Sequence, residues 1–145
     1  MRRIQRDICH EDLIKMLTSG DMPLFKEIWR AMLFAAALGI YEGKRRPIAK
    51  SDSGKAIPEN YFSTPGWRGF LYLIGVAESG ESLCLHGTEE AQDSLITAFE
   101  EFANQGFHSI QERIRSEAFL LDDMTSLLLE SCSPKSAAPD IADLI

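Results

Sequence analysis

Metal-binding side chains are scarce in this sequence, which holds three cysteines and three histidines in 145 residues. Cys9, Cys84 and Cys132 are odd in number and far apart. They form neither a disulfide framework nor a Cys-x2-Cys pair, and they fit reduced thiols. His10, His86 and His108 fall in no His-x3-His pattern, and Cys9-His10 would need ligands from elsewhere in the chain. No metal or cofactor is therefore expected. A long apolar run is also missing. The longest stretch, residues 31–40, is too short to span a bilayer. Arg2 and Arg3 lead into polar residues rather than into the apolar core of a signal peptide. The expectation is a cytoplasmic protein without membrane contact.

Catalytic motifs are equally thin. Ser79-Gly80-Glu81-Ser82 lacks the Gly-x-Ser-x-Gly elbow of a serine hydrolase. Residues 39–44 have the glycines and the lysine of a phosphate loop, but they follow a helical pattern. A phosphate loop must follow a strand and open a helix. The carboxylate pairs Glu89-Glu90, Glu100-Glu101 and Asp122-Asp123 are adjacent in sequence. Neighbours on a helix do not face each other, so such pairs are badly placed to share a proton or a metal. Glu89, Glu90 and Asp93 instead suit the first turn of a helix, where the dipole favours negative charge. No catalytic residue is assigned, and the chain is expected not to be an enzyme.

Positive charge is short overall and unevenly spread. The net charge is −7, yet residues 1–55 hold 11 Lys/Arg against 7 Asp/Glu, while residues 56–145 hold 4 against 15. An acidic whole argues against a general nucleic-acid binder. A basic front and an acidic back suggest different partners for the two ends.

Helical periodicity fills most of the chain. Residues 10–18 carry an apolar stripe of Leu13, Ile14 and Leu17. The next helix is expected to open at Asp21 and Pro23, with Gly39 as its stop unless Ile40 and Tyr41 extend it. Leu24, Ile28, Met32 and Ala36 form one ridge of it, and Phe25, Trp29, Leu33 and Ala37 the other. This wide apolar face predicts the central helix, with Trp29, Leu33 and Phe34 buried. Ala35, Ala36 and Ala37 would let a neighbour approach closely. Residues 42–60 form a long loop, with room for one small β-hairpin pairing 46–49 with 55–58. Thr64-Pro65 announces a further helix built on Trp67, Phe70, Leu71 and Ile74. Residues 88–105 form another, ended by Gly106, and 107–121 the next, on Phe107, Ile110, Ile114 and Leu121. Asp122 or Asp123 caps a last helix through Leu127, Leu128 and Leu129. The whole is an all-α, compact single-domain bundle of about five to six helices over residues 1–131. Residues 132–145 read as a flexible tail, whose Ile141, Leu144 and Ile145 could dock on a partner.

The basic residues carry the most content. Arg2, Arg3 and Arg6 form an N-terminal group. Lys44, Arg45, Arg46, Lys50 and Lys55 form a second group in the loop. Arginine forks match phosphate oxygens, and a basic arm beside a basic loop could follow a DNA backbone. The plainer reading is that these are solvated charges, or that they pair with the chain's own acidic half. The residues alone favour the plainer reading.

Several segments together resemble a known family: Arg2-Arg3-Ile4-Gln5-Arg6-Asp7, His10-Glu11-Asp12-Leu13, Phe34-Ala35-Ala36-Ala37-Leu38-Gly39, Glu42-Gly43-Lys44-Arg45-Arg46-Pro47-Ile48 and Phe102-Ala103-Asn104-Gln105-Gly106. The family is the small accessory family numbered fourth among the Dnd-system-associated proteins, encoded beside DNA phosphorothioation genes in prokaryotes. The resemblance covers roughly residues 2–130. It implies an accessory role in a defence akin to restriction–modification, in which sulfur replaces a non-bridging phosphate oxygen of DNA. It carries over no catalytic residue. It raises the DNA-backbone reading of Arg2, Arg3, Arg6, Lys44, Arg45, Arg46, Lys50 and Lys55 above the plainer one. The alternative is a protein-interaction subunit whose acidic helices dock on a larger nuclease or ATPase of the same Dnd defence system.

Overall fold

The structure, a computed structural model, describes residues 2–63, 66, 68–80 and 87–132. Among them are six α-helices and no sheet, the all-α class that the periodicity predicts. The helices are α1 Glu11–Thr18, α2 Ile28–Glu42, α3 Asn60–Ser63, α4 Arg68–Ser79, α5 Glu89–Arg113 and α6 Leu120–Cys132. The chain divides into two compact units, Met1–Gln111 and Glu112–Ile145.

In the first unit, α2 and α5 cross at very close range. Gly39 lies against the backbone of Phe102, and Gly106 against the backbone of Ala35. Ala35 and Ala36 are fully buried beside this crossing, the close approach that the alanine run predicts, while Ala37 is exposed and takes no part. Around it, Trp29 of α2 meets Phe62 of α3 edge-on at 6.0 Å, and Phe62 meets Phe99 of α5 at 5.4 Å. Leu71 and Ile74 of α4 complete this core with Leu95, Ile96, Phe107 and Ile110 of α5. Leu13, Ile14 and Leu17 bury the expected stripe of α1.

Several boundaries differ from the sequence reading. The helix expected from Asp21 begins instead at Ile28. The Phe25 amide donates to the Leu17 carbonyl at 3.1 Å and ties this segment back to the end of α1. Leu33 and Phe34 are half-buried rather than buried, while Trp29 is buried as expected. Neither Gly39 nor Gly106 stops a helix. α2 runs on to Glu42 and closes on Gly43, which takes the left-handed conformation (φ 68°) typical of a helix end. α5 passes through Gly106 without a break.

The 42–60 loop forms no hairpin. It pairs with the N-terminal arm. Ile4 and Ile57 exchange backbone hydrogen bonds of 2.8 and 2.9 Å, and the Ile8 amide donates to the Lys50 carbonyl at 2.9 Å. A loop too short of apolar residues to support its own ribbon finds partners in an arm that carries the fully buried Ile4.

In the second unit, α6 opens at Leu120, so Asp122 and Asp123 fall in its first turn rather than capping it. Asp123 accepts from the Arg115 amide at 3.0 Å and from the Arg115 guanidinium at 2.8 Å, and Arg113 pairs with Glu130. Leu121 is exposed, contrary to its predicted inward place; Leu127 is buried, and Leu128 and Leu129 are exposed. Thr64, Pro65, Trp67 and the expected tail beyond Cys132 lie outside the described residues.

Candidate nucleic-acid interface

The middle of α5 carries a polar stripe on an otherwise apolar face. Glu100, Asn104 and Gln105 are buried there, with Glu101 and Ser109 half-buried. Spacings of four residues keep Glu100 over Asn104, and Glu101 over Gln105 and Ser109. These side chains hold the arm, the loop, or the end of α2 from which the loop leaves.

Glu100 takes the arm. It accepts from Arg2 Nη1 at 2.6 Å and from the Gln5 amide at 2.8 Å, while Arg2 Nη2 reaches Thr97 at 2.9 Å. Asn104 and Gln105 take the loop. Asn104 Nδ2 donates to the carbonyls of Arg46 and Pro47 at 3.1 and 3.2 Å. Gln105 Nε2 donates to Glu42 at 3.1 Å, and Ser109 donates to the same carboxylate at 2.9 Å. Asp7 joins arm to loop, accepting from the Cys9 amide at 3.0 Å and from the Ala49 amide at 2.8 Å. Burial pushes its carboxyl up, but these amide hydrogen bonds outweigh it and leave the pKa below the ordinary carboxylate value.

The basic residues thus divide into two kinds. Arg6 is buried and donates to Glu11 at 2.6 Å and to the Lys55 carbonyl. Arg2 is held by Glu100. Arg45 donates to Glu101 at 2.7 Å and to Glu78 at 2.9 Å. Burial works against the Arg45 charge, but its two carboxylate partners outweigh that and raise its pKa. Arg46 is exposed, and its guanidinium makes only a long contact to Gln105, 3.4 Å, although its backbone is held by Asn104 and Glu101. Arg3, Lys44 and Lys50 are exposed and make no ion pair among the described residues. Lys55 Nζ lies 3.5 Å from Glu11, whose charge Arg6 already meets.

Pairing with the chain's own acidic half therefore accounts for Arg2 and Arg45. The pairing of arm with loop brings the open cations Arg3, Lys50 and Lys55 onto one ribbon. Sequence reasoning missed the polar stripe of α5. The four-residue spacing of Glu100, Asn104 and of Glu101, Gln105, Ser109 was its available signal.

The family model that matches this chain is DNA sulphur modification system-associated protein 4, over residues 3–144. The chain belongs to that family. No curated protein and no solved structure matches it. The match reaches past the 2–130 span of the segment resemblance, to residue 144. The segments that carry the resemblance meet in one place in this family member. Arg2 and Gln5 lie on Glu100, and Ala35 and Gly39 on Gly106 and Phe102. Arg46 and Pro47 lie on Asn104, and His10 packs on Phe107 at 5.9 Å. Among the described residues no group of three or more His, Cys, Asp and Glu comes together to hold a metal. Among them, too, no helix is long and apolar enough to cross a membrane.

Proposed function

We propose that this member of the DNA sulphur modification-associated family is a non-enzymatic accessory protein of a prokaryotic, cytoplasmic, phosphorothioation-dependent antiviral defence. It acts by binding, and its own DNA contact runs along the ribbon of arm and loop. The antiparallel pairing of Ile4 with Ile57 and of Asp7 with Ser51, with the Ile8 amide on the Lys50 carbonyl, carries this reading. It aligns Arg3, Lys55 and Lys50 over the six residues, or five residue steps, from Arg3 to Ile8. At about 3.3 Å per extended residue that is roughly 17 Å, about five base-pair steps measured along a duplex axis. Few cations and an acidic remainder imply a small footprint, modest affinity and little sequence preference.

The test is a mobility shift of duplex DNA by the full-length chain at low and moderate salt. Wild type should bind, with affinity falling steeply as salt rises. The triple change Arg3→Glu, Lys44→Glu and Lys50→Glu should abolish the shift. A wild type that never shifts duplex at low salt rejects the DNA contact.

A second reading, docking on a larger protein of the same system, draws on a different surface. Leu24, Phe25, Leu33, Phe34 and Phe70 line an open apolar cavity of about 410 Å³ in the first unit. Half-buried aromatics of this kind are enriched at protein interfaces. If Phe34→Ala breaks a co-purifying complex that the triple change leaves whole, this surface docks the partner; if the triple change breaks that complex while DNA binding stays intact, the ribbon docks it.

A further inference from the structure

Where arm, loop and α3 meet, the ribbon borders a depression of about 390 Å³, lined by Arg3, Lys55, Trp29, Ile57, Pro58 and Tyr61. Its volume falls within the range of about 300–1,000 Å³ usual for small-ligand sites. Its composition is specific. Arg3 brings a guanidinium with no counter-charge among the described residues. Lys55 brings an ammonium that is half exposed and only loosely held, 3.5 Å from Glu11. Glu27 also lies in the lining but pairs with Arg30, 3.4 Å away. Tyr61 is 54% exposed; its amide donates to the Pro58 carbonyl at 3.2 Å, but its ring has no ring partner and its hydroxyl no hydrogen bond among the described residues. The tyrosine ring offers an open face beside two cations, so a planar group can lie on it while its charge reaches them. Pro58 and Ile57 supply apolar contact, and Trp29 closes one side.

We infer that this depression accepts one unpaired nucleotide of a DNA strand, its phosphate on Arg3 and Lys55 and its base stacked on Tyr61. Cations that track a backbone beside an aromatic that takes a base are the working parts of single-strand binding sites. The inference rests on the DNA contact proposed above and refines it. The ribbon then contacts any strand through its phosphates, while the depression discriminates unpaired from paired DNA, since a base inside a duplex cannot reach Tyr61.

The full-length chain is titrated against three labelled probes: an oligothymidylate, the same backbone with abasic sites, and a duplex. Wild type should bind the oligothymidylate more tightly than the abasic strand or the duplex. Tyr61→Ala should weaken oligothymidylate binding about five- to a hundredfold and leave duplex binding unchanged; Tyr61→Phe should keep it. Arg3→Ala should weaken all three probes. Tyr61 is exposed, so the variants are expected to fold, and circular dichroism checks this. Equal binding of oligothymidylate and abasic strand, or no effect of Tyr61→Ala in a folded variant, overturns the nucleotide pocket while duplex binding leaves the DNA contact standing. If wild type binds none of the three probes, the DNA contact itself fails, and the pocket with it.

Discussion

Gly106 of α5 sits against the backbone of Ala35 in α2 with no space for a side chain. A Cβ built on it would lie 2.7 Å from the Ala35 Cα and closer still to its carbonyl. One turn along, a Cβ on Gly39 would lie 3.1 Å from the Phe102 Cα and again press on a carbonyl. Backbone cannot yield as a side-chain tip can. The two glycines therefore set how near the two principal helices approach, and with it how α5 presents its polar stripe to arm and loop.

The first prediction follows from this contact and opposes helix propensity in sign. Propensity alone says that Gly106→Ala and Gly39→Ala should stabilise by about 1 kcal/mol. The crossing says that they destabilise, by about 1–3 kcal/mol or more, as overpacking does. Gly69→Ala in α4 is the control, since nothing lies within 4 Å of its Cβ position; it should be neutral or stabilising. Urea midpoints of the three variants decide the matter. Stabilisation by Gly106→Ala would show that the helices are further apart than described.

The same glycines explain why the sequence is legible in part only. Apolar spacing identified the faces of α1, α4 and α5, because Leu13, Leu71, Ile96 and Phe99 recur at helical intervals and every one is buried. Glycine at a helix stop and glycine at a close crossing look alike in one sequence, so Gly39 and Gly106 read as ends. The partner of the 42–60 loop was illegible for another reason. Pairing Ile57 with Ile4 depends on contacts more than 50 residues apart, and no local pattern encodes them. The basic residues were found from composition, but nothing local says that Arg45 is matched by Glu78 and Glu101 while its neighbour Lys44 is not.

Trp29 links the helices through Phe62 and is 7% exposed. Trp29→Ala should cost about 3–5 kcal/mol, the usual range for emptying a large aromatic site in a core. Thermal or urea unfolding followed by circular dichroism measures it. An unchanged midpoint would remove Trp29 from the core.

Asp7 gives the fold an acid sensitivity with a definite sign. Its folded pKa is depressed, so the carboxylate contributes stability that is fully present above its unfolded pKa, about 3.9. That contribution is lost as pH falls through the lower folded value. When it goes, the amides of Cys9 and Ala49 lose their acceptor and the arm loosens from the loop. Asp7→Asn should be less stable than wild type near neutrality, and the difference should shrink below about pH 4. Unfolding midpoints measured across that range test this. A gap that is constant with pH would assign the effect to something other than the Asp7 charge.

Lys44 and Arg45 are adjacent, and the structure sets them apart. Reversing both at once would confuse a lost DNA contact with a weakened fold, so the two are predicted singly. Arg45 holds Glu78 on α4 and Glu101 on α5, and its guanidinium lies 5.7 Å from the Phe102 ring centre. Each of these ion pairs is partly exposed and worth at most about 1 kcal/mol. Arg45→Glu removes both and sets a carboxylate beside two others, so it should destabilise by about 1–2 kcal/mol. Lys44 is exposed and holds no carboxylate among the described residues. Lys44→Glu should therefore leave the unfolding midpoint where it is. On DNA the order reverses. Lys44→Glu should weaken duplex binding at low salt and lower the salt slope by about 1, as losing one phosphate contact does. Arg45→Glu, checked to be folded at the assay temperature, should act on binding less than Lys44→Glu, because its guanidinium is already committed to two carboxylates. Paired denaturation and salt-titration curves read both effects. If Arg45→Glu abolishes binding at unchanged stability while Lys44→Glu does nothing, the DNA contact runs through the paired arginine, and the division of the basic set into committed and open charges is wrong.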